Sequence, residues 1–594
     1  MIKIITILLL VSTISFATIK DKTTNDVYVQ AEILKHKIIH LAGEQNINAT
    51  YLKLPFQSNK SPRHVLQKTL EVIIKINKYR EIYKLGEVNV PIYPSRRITS
   101  EDVYHNVKRL NSELDLLLKN VSCPHIKELS QEKEYNNKTS NDNYHEVWLA
   151  SLAMDQLLGR GFSPVDTYQQ SVLILDIIKY IRSSQGIYEE IEKPKLKIRK
   201  HPNHVLYATN ELIKKISQAE KKLWMEPVEV PENPQRIITP TEGYDAMQTV
   251  ITELKRIRRR LGVERLYDVE NINDSKTPSD VLQNIEYAIK LFPTFDLKNT
   301  LVQYDRSSLK KSLDDVYSLS QFILEKVEFL KQQKGIQVEP KRTPMIYNLH
   351  TMHIYQKGIE VMEKINILRE KEKLYQMSIP QSPTKQKSTD SIYELLAMVD
   401  SEFTIIMRRN GIKNKKNWAF NLDKKRYKEK TPSDIYNNIW KISALIDTIK
   451  DKPYTANETY VLAKKMELRI STIVKYLIGD VKIEHKKSFD KTPADALNLL
   501  LELHKIVSKV ENKANMRLGI IKIPKDKNIT PDSVYNALRI INAKLVDINI
   551  HFGIETIIDD IEIDTTKTAS DVYDTINKQY DLVKQLLEDK NYED

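Results

Sequence analysis

Two pairs of histidines, His201 with His204 and His350 with His353, have the spacing in this sequence best suited to holding a metal. Side chains three apart lie on one face of a helix, and zinc accepts imidazole nitrogen. Both pairs stand at the start of a segment with helical pattern, and equivalent segments carry Thr492 and Asp495 in those two places. A histidine variant of a helix cap accounts for the pairs, there is no His-Glu-x-x-His run, and neither metal nor cofactor is expected.

Cationic side chains suggest binding rather than catalysis. Lys193, Lys195, Lys197 and Arg199 alternate, so an extended chain projects them from one side. Arg256, Arg258, Arg259 and Arg260 crowd one helix end, and Arg408 and Arg409 stand in the corresponding place further on. Cations at a helix C-terminus also simply complement the helix dipole. A net charge of +13 favours acidic partners such as anionic head groups, acidic glycans or acidic proteins.

Enzyme chemistry finds little material. No nucleophile elbow, phosphate-cradling glycine loop, cysteine pair or calcium loop occurs, and 13 glycines leave little for phosphate loops. Cys123 is alone, so no intramolecular disulfide forms. An enzyme would need a polar cluster breaking the pattern below, around His145 and Trp148 or near Cys123. A non-enzymatic protein is expected.

The elements that would position these residues come from one repeated helix start. In Thr431-Pro432-Ser433-Asp434-Ile435-Tyr436, Thr431 is the cap, Pro432 suits the first helical position, and Asp434 answers the cap from the third. Close copies begin at Thr277 with Asp280, Thr492 with Asp495, and Thr568 with Asp571. Aligned on the acidic position, 16 units appear, at residues 26, 64, 102, 142, 166, 204, 242, 280, 315, 353, 391, 434, 458, 495, 533 and 571. The residue two further on is Tyr in 12 units and Leu in four, which reads as packing at a core edge rather than a ligand face.

The steps between units are mostly 38 residues, but fall to 24 after Asp142 and Asp434, and the two halves match at an offset of about 290. Fixed periods of this size mark a repeat architecture. The expected fold is all-α: a tandem array of 16 helical units of about 38 residues, grouped as four four-helix modules over 18–162, 163–311, 312–454 and 455–594. Between helices lie β-branched, proline-punctuated stretches such as Val228 to Pro234, which read as extended crossovers. A helix of about 22 residues is about 33 Å long, and about 13 extended residues span about 43 Å. Each crossover can therefore run back along its helix and start the next in the same direction. One helix, from Pro240 to Leu261, is expected to stop at Gly262. Whether the modules are separate bundles or one solenoid stays open.

Residues 1–17 read as a signal peptide, with Lys3, an apolar core from Ile4 to Phe16, and cleavage after Ala17. That run is too short to be a comfortable membrane span, and no later stretch is long and apolar enough. The expectation is a periplasmic or secreted scaffold or protein-interaction repeat of the cell envelope, with an envelope protein, acidic surface or glycan as partner and no nucleic acid. The alternative is a ligand-binding or sensing module that takes an anion or glycan in a basic groove.

Overall fold

The protein was studied as a computed structural model. It describes residues 21–49, 58–91, 93, 97–123, 126–261, 275–295, 311–380, 383–412, 427–483, 487–516, 520–524, 528–554, 556, 558, 561 and 566–589. The expected signal peptide, Gly262 and the side chain of Arg259 lie outside these.

The described chain is all-helical. Its elements are α1 (Thr24–Glu44), α2 (Pro62–Ile82), α3 (Ser100–Asn120), the single turn α4 (Ile126–Leu129), α5 (Ser140–Leu157), α6 (Pro164–Ser184), α7 (Pro202–Lys222), α8 (Pro240–Arg260) and α9 (Pro278–Leu291) in the first half. The second half holds α10 (Leu313–Gln333), α11 (Thr351–Lys371), α12 (Thr389–Arg409), α13 (Pro432–Lys450), α14 (Ala456–Ile478), α15 (Pro493–Lys513), α16 (Pro531–His551) and α17 (Ala569–Glu588). Leaving α4 aside, every aligned acidic position is the third residue of a helix, as the cap reading requires. Thr431 Oγ1 donates to Asp434 Oδ2 at 2.6 Å, and the Thr431 N–H donates to the same oxygen at 2.9 Å. Proline occupies the first helical position in α2, α6, α7, α8, α9, α13, α15 and α16.

Helix ends repeat as closely as helix starts. After the C-cap comes a residue with positive φ, such as Asn46, Lys84, Ser122 or Trp224. The next N–H then reaches back to a carbonyl in the last turn, as from Ile47 to Ala42, Leu85 to Arg80 and Cys123 to Leu118. This is a Schellman closure, and it turns the chain sharply into the crossover.

Within each module the helices form a ring. In the first, α1 and α2 each pack on α3 and α5; the same pattern holds for α6 and α7 on α8 and α9, α10 and α11 on α12 and α13, and α14 and α15 on α16 and α17. The first and second helices of each module are thus diagonal, as are the third and fourth, while the second and third are neighbours. The N-termini meet at one end. The Lys138 N–H donates to Asn25 and the Lys60 N–H to Asn141, both at 2.8 Å, which joins the starts of α5, α1 and α2. In the other modules the Lys200 N–H donates to Ser279, the Lys430 N–H to Asp314, and the Lys567 N–H to Asn457. The helices therefore run parallel.

The helices close into four rings rather than one uniform solenoid. Helix packing joins the first to the second through α2 and α8, and the third to the fourth through α11 and α16. The first and third share a single apolar core, while the second and fourth have their own. The 24-residue steps are tight turns at module junctions, where Gly159 and Asp451 take positive φ. No described helix is long and apolar enough to cross a membrane.

Candidate functional site

Ten units carry lysine directly before the cap. Nine of these ammonium groups sit 4.0–5.2 Å from the centre of the repeated tyrosine on a neighbouring helix, among them Lys138 on Tyr28, Lys60 on Tyr144 and Lys311 on Tyr393. Such contacts contribute about 0.5–1 kcal/mol at exposed sites. Where the tyrosine position holds Leu66, Leu206 or Leu497, the residue before the next cap is Ile98, Ile238 or Ile529 instead. The tyrosine stripe is therefore bundle packing, matched pairwise around each ring. Lysine before the cap was visible in the sequence, but its partner becomes evident only once the ring order is known.

Two polar nodes join modules, and they occupy equivalent places in the two halves. In the first, His64 on α2 and Arg63 hold Glu253 of α8 at 3.0 and 2.9 Å, and Arg256 lies 3.2 Å from Glu220 and 3.0 Å from Glu253. Burial raises the Glu220 carboxyl, helped by Glu253, to about 9. In the second node the acid and base on α16 exchange places: Lys544 stands where Glu253 does and Asp547 where Arg256 does. Lys544 pairs with Glu511, and His350 Nε2 lies 3.3 Å from Asp547 Oδ2. His504 and His353 bury Nε2 atoms without hydrogen-bond partners. Burial, reinforced by Lys544, lowers His350 and His504 to about 4 and His353 well below its ordinary value. Burial also raises Asp547 to about 7.

A buried charge row lines each of these junctions. Lys68 lies 2.7 Å from both Glu71 and Asp245, and Lys75 lies 2.7 Å from Asp155. The equivalents Lys357, Glu360 and Lys364 lie 2.8 and 3.5 Å apart in order, with Lys364 2.6 Å from Asp447. Burial alone would raise Glu71; Lys68 and Lys75 outweigh it and hold the carboxyl at about 2. Phe162 stacks on Tyr244 at 3.6 Å, and Tyr454 on Tyr535 at 4.2 Å, closing each junction.

The seam between halves is reciprocal. Arg80 faces Glu113 at 3.5 Å, and their equivalents Arg369 and Glu402 lie 2.6 Å apart; all four side chains are fully buried. Arg80 donates to the Tyr375 and Gln376 carbonyls of the other half, and Arg369 to the Glu87 carbonyl. Glu113 accepts from the Ser378 N–H, and Glu402 from the Asn89 N–H. This is the self-complementary geometry of a two-fold dimer interface, here between halves of one chain.

The residues singled out from sequence fall into two groups. The His201 N–H donates to His204 Nδ1 at 3.2 Å and the His350 N–H to His353 Nδ1 at 3.4 Å, so histidine takes the cap-answering place. Arg256 belongs to the first node, Arg258 is buried, and Arg260 donates to the Leu223 carbonyl. Arg408 spans the seam to Glu87, and Arg409 donates to the Glu372 carbonyl. By contrast Lys193, Lys195, Lys197 and Arg199 are exposed on the crossover between α6 and α7, and of these Lys197 pairs with Glu286 of α9. A groove of about 900 Å³ follows α15 between Ile520 and Tyr573; Lys505 and Lys544 there are matched by Glu502 and Glu511. Comparison with known proteins gives no match to this chain among family models, curated proteins or solved structures.

Proposed function

We propose that the chain is an exported, non-enzymatic scaffold of the cell envelope that engages an acidic macromolecular partner through its crossovers. The observation behind this reading is the division of labour among charges. The titratable clusters at the nodes and seam are buried and join one bundle to another, which suits a frame holding external surfaces at fixed separation. Several weak contacts on such a frame act together through effective concentration.

The surface best suited to the partner is the crossover 193–199. Its cations alternate with Leu196 and Ile198, which are 48% and 71% exposed, and Ile237 of the same module is 89% exposed. A cationic strip with apolar residues between suits a partner that is acidic and partly apolar. Among the described residues no ion pair engages Lys193, Lys195 or Arg199. The test is affinity capture from envelope extract with the wild type and with K193S/K195S/R199S. Loss of a captured acidic partner at unchanged Tm supports the reading; equal capture by both proteins, or no macromolecular partner at all, removes it.

The α15 groove supports a second reading, the binding of an anionic ligand. Lys491 and Lys509 stand at its rim. K491S/K509S should then abolish the thermal stabilisation conferred by an acidic oligosaccharide, and the absence of any stabilisation of the wild type rules this reading out.

A further inference from the structure

We propose that His40, Glu44 and Cys123 form a site for a zinc-class divalent ion. The scaffold reading neither requires this site nor accounts for it. His40 and Glu44 are one turn apart on α1, so both side chains face the same way. Cys123 follows α3 and is held by its N–H donation to the Leu118 carbonyl at 3.0 Å. His40 Nε2 lies 3.1 Å from Cys123 Sγ and 3.2 Å from Glu44 Oε1. All three ligand atoms fall within 4.8 Å of one another, and this is the one such group of three among the described residues.

These separations fit the chemistry. Tetrahedral zinc takes imidazole nitrogen at about 2.0–2.1 Å, thiolate at about 2.3 Å and carboxylate at about 2.0–2.2 Å, so ligand atoms sit roughly 3.4–3.6 Å apart. The two histidine separations need to open by a few tenths of an ångström, and the thiol and carboxylate, within 4.8 Å of each other, to close by no more than about 1 Å, to seat the ion. The thiol is buried, while the His40 and Glu44 side chains are 29% and 33% exposed. The ion would therefore enter from the solvent side, and its fourth position would face water. Mixed sulfur, nitrogen and oxygen donors favour zinc over calcium or magnesium.

The internal repeat supplies a control. In the second half the equivalent places hold Phe329, Gln333 and Ile412, and in the fourth module Thr472, Tyr476 and Ile554. The place taken by Cys123 is filled in most other units by Ile, Leu, Met or Val, as at Ile47, Leu85, Met225 and Val263. Histidine, carboxylate and thiol stand together in one module where the equivalent places of the other three hold none of these groups, a change that packing alone does not call for.

The full chain, stripped with chelator, is titrated with cobalt(II) and then with zinc. One equivalent of cobalt should give a thiolate-to-cobalt charge-transfer band that zinc abolishes. C123I and H40F install residues that the second half already accommodates; each should fold as the metal-free wild type does by circular dichroism. C123I should lose the band and bind zinc at least a hundredfold more weakly, and H40F at least tenfold more weakly. Absence of the band in the wild type, or wild-type zinc affinity in either variant, overturns the assignment.

Discussion

Arg80→Met tests the seam. It removes a guanidinium that touches Glu113 and three carbonyls, of Gly86, Tyr375 and Gln376, two of them from the other half. Glu113 stays fully buried with only the Ser378 N–H and O–H donating to it. Removing one partner of a buried pair costs about 3–5 kcal/mol, because the other charge is left uncompensated. The assay is association of two co-purified half-chains, 21–311 and 312–594. At about 1.4 kcal/mol per tenfold, R80M should raise their Kd by about a hundredfold to a few thousandfold, and R369M by a similar factor. R80M/E113Q removes the buried negative charge as well and should recover most of the loss. Less than a threefold change in Kd for R80M, or a double variant weaker than R80M, would refute the reasoning.

Further substitutions probe the nodes and the caps. His504 and His350 are held neutral with folded values near 4, below the ordinary 6.5; their contribution to stability is present above 6.5 and is lost as pH falls towards 4, by up to about 3 kcal/mol each. His504→Ile, the residue at the equivalent Ile213, should leave stability at pH 7 unchanged or raised and flatten urea midpoints between pH 6.5 and 4; an unchanged pH profile contradicts this. At the caps, Tyr28→Leu and Lys138→Ile should each lower stability by about 0.5–1 kcal/mol, while the double variant, which recreates the Leu66–Ile98 type of pairing, should restore part of the loss. Strict additivity in a double-mutant cycle would show that the two side chains are not coupled.

The helix starts were fully legible, because a cap, its answering carboxylate and proline at the first position are local signals that recur at 16 places. The parallel sense followed from chain reach, since about 13 extended residues can run back along a helix of about 22. The seam was half legible: Arg80 and Arg369, and Glu113 and Glu402, are identical residues 289 apart. Identity at a fixed offset says that a feature is duplicated; it does not say that the two copies face each other. The arginines of α8 were harder to place, since the last turn of an exposed helix and the last turn beside another bundle carry the same residues. The bond from Arg260 to the Leu223 carbonyl depends on where α7 lies, and Arg258 is buried by packing that its own helix does not reveal. The co-ligands of Cys123 are not legible around it, because His40 and Glu44 lie about 80 residues away in sequence.

One electrostatic problem explains why a single motif is used throughout. Four parallel helices gather four N-termini, each carrying about half a positive charge, at one end of a bundle, where an up-and-down arrangement would cancel them. A carboxylate at the third helical position opposes that charge in 11 of the 16 helices and accepts the N-cap N–H. Burial pushes the Asp434 carboxyl up, but the hydroxyl and N–H of Thr431, with Lys430, outweigh it and leave the group below its ordinary value. Those carboxylates would then repel one another across the ring. Lysine before the cap answers them, and tyrosine on the next helix holds the lysine in place. Cap, acid, lysine and tyrosine are thus coupled by the parallel geometry, and that geometry follows from crossovers long enough to return the chain to the same end. At His64, where the acid gives way to histidine, the helix starts beside another bundle, and the freed position joins modules by holding Glu253 of α8.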